Sequence, residues 1–240
     1  ATPDGYNIND GVGSTEPAAL QAKGRKEGAD IGIAFDGDGD RLQMVNAKGD
    51  LLTGDDVLYV LAMHRLANGC SDAGIVGTLM TNMGLELALE VDGLRLARAK
   101  VGDRYVKELM VAEGWSLGGE SSGHIICGDL STTGDGVIAA LQVLAAVRAS
   151  GKSLEVLPSG FNALPQVLVN VRIARGFDLL AFPAITEACR RVESELEGRG
   201  RLLLRPSGTE PVIRVMVEGD ETVAIDALAE QVADAIRQAA

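Results

Sequence analysis

The sequence is poor in aromatic residues, histidine and cysteine. Aromatic residues make up 3% of its 240 residues, and it has 2 histidines and 3 cysteines. Cys70, Cys127 and Cys189 are widely spaced and form no C-x-x-C pair, so neither a disulfide framework nor a zinc site is expected. This use of cysteine fits a reducing compartment, and we expect a cytoplasmic protein.

Basic charge and long apolar runs are also scarce. The chain has 22 basic and 34 acidic residues, which gives a net charge of −12. Because a phosphate backbone or an anionic membrane attracts clustered Lys and Arg, this balance argues against nucleic acid or a membrane as a partner. The apolar runs are too short to cross a bilayer, and we expect no signal peptide.

The apolar residues that are present, 46% of the chain, are enough to bury a core. Short apolar runs alternate with amphipathic stretches, which predicts an α/β fold. The pattern predicts a strand at 31–35, a hairpin with strands at 42–45 and 51–52, a helix from about 55 to 66 capped by Asp55, βα repeats from 74 to 114, and a helix at 135–150. A linker follows, and after a boundary near 160 the pattern predicts a small α+β domain.

Three carboxylates follow the strand at 31–35. Asp36, Asp38 and Asp40 alternate with glycines, so their side chains can converge on one side of a tight loop. Convergent carboxylates repel one another unless a cation lies among them, and oxygen ligands select a hard ion, Mg²⁺ or Ca²⁺. We therefore predict a metal site that leaves coordination positions open.

Other interpretations of this loop remain. An EF-hand loop needs glycine and glutamate where this chain has Arg41 and Ala47. A haloacid-dehalogenase-like phosphatase would use Asp36 as its nucleophile, although that family has Thr or Val at the position of Asp40. A solvated acidic turn is the simplest alternative.

A second group of polar residues lies in the segment GGESSGHIICGD. Glu120, Ser122 and His124 alternate on a glycine-rich loop, so they can line one face. A carboxylate, a hydroxyl and an imidazole suit sugar hydroxyls. His64, in contrast, lies in an apolar helix and is predicted to be structural.

The third segment is LLLRPSGTEPVIR. A strand leads from Arg205 into a turn whose backbone N–H groups and hydroxyls can bind an anion, and the guanidinium adds a charged contact. We predict a phosphate cradle formed by Arg205, Ser207, Gly208 and Thr209. Arg214 contributes either to this cradle or to the strand surface, and a plain turn is the alternative.

Together, the three loops resemble those of the α-D-phosphohexomutase family. In that family a metal loop D-G-D-x-D-R, a sugar loop G-E-x-S-G-H and a phosphate loop R-x-S-G-T-E-P occur in this order, and this chain has DGDGDR, GESSGH and RPSGTEP. The segments PDGYNINDGVGST, VGTLMTNMGLELAL and KVGDRYV look most like the bacterial phosphoglucosamine mutase branch. Each loop alone is moderately specific, and the ordered set is strong.

The resemblance implies a role for each matching residue. Asp36, Asp38 and Asp40 match Mg²⁺ ligands, Arg41 matches an arginine that positions the transferring phosphoryl group, and His124 matches a candidate general acid or base. The implied substrate-binding residues are Gly102, Asp103, Arg104, Glu120, Ser122, Arg205, Ser207, Gly208, Thr209 and Arg214.

The resemblance also implies a domain division and a fold. Residues 1–50 match the end of one α/β domain and carry the metal loop. Residues 51–160 match a complete sugar-binding α/β domain with a mainly parallel sheet, and residues 161–240 match a phosphate-binding α+β lid domain.

The implied reaction interconverts glucosamine 6-phosphate and glucosamine 1-phosphate for amino-sugar and cell-wall precursor synthesis. Its implied cofactors are Mg²⁺ and glucosamine 1,6-bisphosphate as intermediate, its partner is a hexosamine phosphate, and a homodimer is one expectation for the full-length enzyme. The family's nucleophile is a phosphoserine in T-A-S-H-N-P, and no serine here is followed by His-Asn. We therefore expect a fragment that is inactive alone.

Three alternatives stay open from the sequence. The chain resembles the phosphomannomutase and phosphoglucomutase branches less closely, but they use the same three loops. A metal-dependent phosphatase would use Asp36 as its nucleophile. A non-catalytic module that binds sugar phosphates would need only the binding loops.

Overall fold

The computed structural model describes residues 4–174, 177–207 and 210–240. The chain forms two compact units, one up to Asn162 and one from Ala163, and each is described by itself. The division lies beside the boundary near 160 expected from the sequence, whereas residues 1–50 and 51–160 fall in the same unit. Their separation into two domains stays a prediction. Within the described ranges, none of the helices is long and apolar enough to cross a membrane.

The first unit begins with a helix and an antiparallel sheet. These elements are α1 (Ala18–Glu27), β1 (Ile31–Phe35), β2 (Leu42–Asn46) and β3 (Leu51–Leu52), with the strands in the order β1-β2-β3. The predicted strand at 31–35 and the predicted hairpin are confirmed. The hairpin turn is held by the Asn46 side chain, whose Oδ1 accepts the N–H of Lys48 at 2.9 Å and of Asp50 at 3.0 Å.

The next helix, α2 (Gly54–Ala67), starts one position before the predicted cap. Its N-cap is Thr53, whose side chain accepts the N–H of Asp56 while the Asp56 carboxylate accepts the N–H of Thr53, a capping box. The prediction that Asp55 caps this helix is therefore wrong. Asp55 is inside the helix, 4% exposed, and its Oδ2 accepts the N–H of Asn82 at 2.9 Å.

A second, mainly parallel sheet follows, as the βα pattern predicted. Its strands are β4 (Gly74–Thr78), β5 (Arg95–Ala99), β6 (Leu117–Gly119) and β7 (Ile125–Cys127), in the order β5-β4-β6-β7. β4 is parallel to both β5 and β6, and β6 and β7 form an antiparallel hairpin. The connecting and following helices are α3 (Met83–Val91), α4 (Asp103–Glu113) and α5 (Gly136–Ser150).

The core of the first unit joins its two sheets. Buried side chains of α2 and α5 pack in one cluster with residues of β2, β4 and β7, among them Met44, Leu58, Ile75 and Val143. Because one apolar cluster spans β2 and β7, the loop that precedes β2 and the loop that precedes β7 are held close together.

The second unit is a small α+β domain, as predicted. Its elements are β8 (Gln166–Arg172), α6 (Pro183–Leu196), β9 (Gly200–Pro206), β10 (Val212–Gly219) and α7 (Ile225–Ala239). The sheet is antiparallel in the order β8-β10-β9, and alternate residues of β10 pack in a core with α6 and α7. The carboxylate of Glu218, which is 0% exposed, pairs with Arg201 on β9 and accepts from Gln166 at 3.2 Å.

Candidate functional site

The loop between β1 and β2 brings its three carboxylates together. One oxygen from each of Asp36, Asp38 and Asp40 lies within 4.8 Å of the other two. Asp38 is exposed, and the other two are half-buried. The N–H of Arg41 donates to Oδ1 of Asp36 at 3.0 Å and fixes the turn, while the Arg41 side chain is exposed. The convergence predicted from the alternating spacing is therefore present.

The two half-buried carboxylates differ in acidity. Burial raises the pKa of Asp36, but hydrogen bonds with the Arg41 backbone and with Asp40 outweigh it, and the pKa falls below its ordinary value. Burial, followed by the hydrogen bond and charge of Asp36, raises the pKa of Asp40, against the opposite effect of His124. Such a split is typical of neighbouring carboxylates, and a bound cation would offset the repulsion between them.

The loop that contains Glu120, Ser122 and His124 is the turn of the β6–β7 hairpin, and it lies against the carboxylate loop. Arg41 and His124 form an antiparallel bridge, and the N–H of Leu42 donates to the carbonyl of Gly123 at 2.9 Å. On its other side, the N–H of Gly54 at the start of α2 donates to Ser121 O at 3.1 Å. Backbone contacts thus join two loops that are about 80 residues apart in sequence.

Gly123 is needed where these loops meet. Its φ is +93°, and a Cβ there would lie 2.1 Å from the carbonyl oxygen of Leu42. Since that oxygen belongs to backbone inside a packed strand, a side chain at this position would push the two loops apart.

His124 is buried and directed at the carboxylate loop. It is 4% exposed, and its Nδ1 lies 3.0 Å from Oδ2 of Asp40. Its Nε2 faces Gly134, where a Cβ would lie 2.2 Å from that nitrogen. The role of His124 as a general acid or base stays a prediction.

Glu120 is oriented by the start of α4. Its Oε1 accepts the N–H of Gly102 at 2.8 Å, and its Oε2 lies 3.4 Å from the Ser122 hydroxyl. Asp103 and Arg104 follow at the exposed first turn of α4, where Arg104 Nε pairs with Glu108 at 2.8 Å. The structure thus brings Glu120, Ser122 and Gly102 together, while the Arg104 side chain is engaged along its own helix.

The sequence pattern predicted a helix at 135–150 but assigned no part in the site to residues 133–136, which lead into α5. Asp135 caps α5, its Oδ1 accepting the N–H of Ile138 at 2.9 Å, and the N–H of Gly136 donates to Gly39 O at 2.9 Å. With Gly134 against His124, this segment supports both loops. The paired glycines around an N-cap aspartate in TTGDG were the available signal.

The predicted phosphate loop lies in the second unit, between β9 and β10. Arg205 and Arg214 are direct cross-strand partners, so their side chains share one sheet face, opposite the core residues Ile213 and Val215. The buried Nε of Arg205 has no hydrogen-bond partner among the described residues. Two like charges placed opposite each other are unfavourable, and an anion between them would be stabilising.

Ser207 begins the turn of this loop. Its N–H donates to Val212 O at 2.8 Å, and its Oγ accepts the N–H of Glu210 at 3.3 Å. Gly208 and Thr209, the other predicted cradle residues, lie outside the described residues.

Sequence profiles of known families match both units. The profile "Phosphoglucomutase/phosphomannomutase, alpha/beta/alpha domain III" matches residues 53–162, and that of the C-terminal domain matches residues 168–235. The chain belongs to the phosphoglucomutase/phosphomannomutase family. The matched ranges contain the loops of Glu120 and Arg205, and the carboxylate loop lies upstream of them.

Bacterial phosphoglucosamine mutases are among the relatives of this chain. A phosphoglucosamine mutase of Aeromonas hydrophila subsp. hydrophila is 57% identical over 238 residues, 99% of this chain and 54% of the relative. The chain spans about half the length of the curated relatives it matches.

Solved structures share the fold. The crystal structure of Aspergillus fumigatus N-acetylphosphoglucosamine mutase in complex with GlcNAc-6P and magnesium matches with a TM-score of 0.73 and 22% identity, over 95% of this chain and 57% of that one. A variant of the same enzyme in complex with glucose 1,6-bisphosphate matches with a TM-score of 0.68 and 21% identity, over 96% and 53%. Magnesium and a bisphosphate are therefore found in structures of this fold.

Proposed function

We propose that this chain provides the metal, sugar and phosphate loops of a phosphoglucosamine mutase, which interconverts glucosamine 6-phosphate and glucosamine 1-phosphate. The observation that carries the proposal is the junction of three convergent carboxylates with the Glu120–His124 loop in one packed unit. The 57% identity to a phosphoglucosamine mutase supports glucosamine phosphate as the substrate over the substrates of the phosphomannomutase and phosphoglucomutase branches.

The residues of the carboxylate loop fit a magnesium ion. Oxygen ligands at this spacing suit a hard cation, and Oδ1 of Asp40 is buried without a hydrogen-bond partner among the described residues. Asp36, Asp38 and Asp40 would hold the ion. The chemistry that a bound magnesium ion supplies is neutralisation of charge on a phosphoryl group during transfer.

The chain's own residues then orient the sugar. The Glu120 carboxylate, held by the Gly102 N–H, is half-buried and can accept from sugar hydroxyls, and the exposed Ser122 hydroxyl can donate or accept. Arg41 is exposed next to the three aspartates, so its guanidinium is available to a phosphoryl oxygen. These groups position an acceptor, which is the main contribution of a phosphoryl-transfer enzyme.

Arg205 and Arg214 would bind the phosphate that does not react. A guanidinium can contact phosphate through two N–H groups, and the two arginines lie opposite each other on adjacent strands. We further propose that glucosamine 1,6-bisphosphate is the intermediate and that the phosphoryl carrier is not a residue of this chain, since none of its serines precedes His-Asn.

Binding of glucosamine 6-phosphate by isothermal titration calorimetry tests the phosphate assignment. Arg205→Ala should weaken binding by about 1.5–3 kcal/mol, the range for a lost charged hydrogen-bonded contact, while glucosamine without phosphate is unaffected. Arg237→Ala, an exposed arginine paired with Glu230 and Asp234 on α7, is the matched control and should change nothing. Equal weakening for both sugars would make Arg205 structural.

Activity assays separate this function from a phosphatase. With Mg²⁺ and bisphosphate primer, the chain alone should not convert glucosamine 6-phosphate to glucosamine 1-phosphate, because it lacks the phosphoryl carrier. Turnover that persists after repurification would contradict the proposal that this chain lacks the phosphoryl carrier. Release of phosphate from p-nitrophenyl phosphate that Asp36→Asn abolishes would instead support a phosphatase with Asp36 as nucleophile.

A further inference from the structure

The surroundings of His124 suggest a role other than proton transfer to a sugar. The ring is buried, with its Nδ1 3.0 Å from Oδ2 of Asp40. The other oxygen of that carboxylate, Oδ1, is buried and has no hydrogen-bond partner among the described residues. The two oxygens of Asp40 are therefore in different situations: Oδ2 contacts the imidazole, and Oδ1 has an acceptor position that no described residue fills.

We propose that His124 is a positioning residue for the metal site, and that its Nδ1–H donates to Oδ2 of Asp40 so that Oδ1 faces the ion. The inference rests on the proposed magnesium site. A carboxylate that ligates a metal through one oxygen is commonly oriented by a hydrogen bond to its other oxygen, and such partners affect metal affinity.

The backbone makes this contact rigid. Residue 124 bridges residue 41, the neighbour of Asp40, and the N–H of Leu42 is bonded to Gly123 O. The imidazole and the carboxylate therefore project from paired backbone segments rather than from independent loops. A ring held in this way costs little conformational entropy when it orients its partner.

The far side of the ring is closed. Nε2 is buried and has no hydrogen-bond partner among the described residues, and it packs against Gly134, where even a Cβ would lie 2.2 Å away. A group that transfers a proton must be within hydrogen-bond reach of the reacting atom. Since Nδ1 is engaged by Asp40 and Nε2 faces backbone, the geometry favours orientation of Asp40 over proton transfer.

Metal titration tests the role in the whole chain. Mg²⁺ binding is followed through the amide NMR signals of Gly37 and Gly39, which lie between the three ligands. His124→Ala should weaken Mg²⁺ binding about 10- to 100-fold, the usual effect of removing a group that orients a metal ligand.

Two conservative variants separate orientation from general packing. His124→Asn places an amide N–H near the position of Nδ1 and should restore most of the affinity. His124→Gln places its amide near the position of Nε2 and should not. The matched control is His64→Asn, since His64 is the other of the two histidines and its ring nitrogens lie within hydrogen-bond distance of Asn68, away from the carboxylate loop; it should leave Mg²⁺ binding unchanged.

The wild-type chain gives a readout that needs no substitution. With two histidines, the imidazole ¹⁵N spectrum is simple, and His124 should carry a proton on Nδ1. An Nε2–H tautomer, or Mg²⁺ binding that His124→Ala leaves unchanged, would overturn this inference alone. No Mg²⁺ binding by the wild-type chain would overturn the proposed metal site, and with it this inference.

Discussion

The junction between the two site loops depends on Gly123, and its replacement by alanine has a calculable cost. At φ +93° an alanine carries backbone strain of about 1–2 kcal/mol, and its Cβ would lie 2.1 Å from Leu42 O. That overlap breaks the backbone hydrogen bond from Leu42 N–H to Gly123 O. The buried Leu42 amide is then unpaired, which costs about 1–3 kcal/mol. We expect Gly123→Ala to lower the free energy of unfolding by about 2–5 kcal/mol.

The matched control is Gly93→Ala. Gly93 also has positive φ, at +76°, but a Cβ there meets nothing within 4 Å, so it carries the strain without the overlap. Urea unfolding followed through Trp115, the single tryptophan, which is 7% exposed in the first unit, reports both variants. The two variants should differ by at least about 1 kcal/mol, and only Gly123→Ala should weaken Mg²⁺ binding. Equal unfolding midpoints and equal Mg²⁺ affinity would refute the reasoning.

Three further perturbations test the packing within the two units. Arg201→Ala removes the guanidinium that pairs with the buried Glu218 carboxylate and should lower the free energy of unfolding by about 1.5–3 kcal/mol, the range for a lost charged hydrogen bond, in urea unfolding followed by circular dichroism. The exposed Arg237→Ala should change little. Thr53→Ala should lower the melting temperature of the first unit through loss of about 0.5–2 kcal/mol of capping energy, and Thr53→Ser should retain it. Burial raises the pKa of the Cys127 thiol, so a thiol reagent should label Cys127 only after unfolding, whereas the half-buried Cys70 and Cys189 are more accessible. Labelling of Cys127 itself in the folded chain, located by peptide mass spectrometry, would contradict its burial.

Local patterns predicted the secondary structure well because each element has an apolar period of its own. The strand at 31–35, the hairpin after it and the βα repeats follow from periodicity and glycine stops. The start of α2 did not follow, because Thr53 and Asp55 are both good N-cap residues. The capping box of Thr53 with Asp56 was the local signal that distinguishes them. The hydrogen bond from the Asn82 N–H to the Asp55 carboxylate, which holds Asp55 inside the unit, joins distant residues and leaves no local signal.

The candidate site was predictable only in part, for the same reason. The alternation of Asp36, Asp38 and Asp40 with glycine determines that the carboxylates converge, and this can be deduced from five residues. The contact of His124 with Asp40 joins residues 84 positions apart, and the support from Gly134 comes from a segment with no chemical motif. Such contacts depend on which strands become neighbours, which only the packed structure shows.

The contacts between the carboxylate loop and the Glu120–His124 loop determine which substitutions should weaken Mg²⁺ binding without lowering stability. The two loops are joined mainly through backbone, by the bridge between Arg41 and His124 and by the hydrogen bond from Leu42 N–H to Gly123 O. Backbone hydrogen bonds do not depend on neighbouring side chains, so Asp38 and Ser122 can remain exposed and available to ligands while the frame beneath them is fixed. Asp38→Asn should therefore weaken Mg²⁺ binding and leave the urea midpoint nearly unchanged, whereas Gly123→Ala should alter both. A loss of stability in Asp38→Asn comparable to that in Gly123→Ala would show that the carboxylates hold the loop together, and that the backbone frame does not.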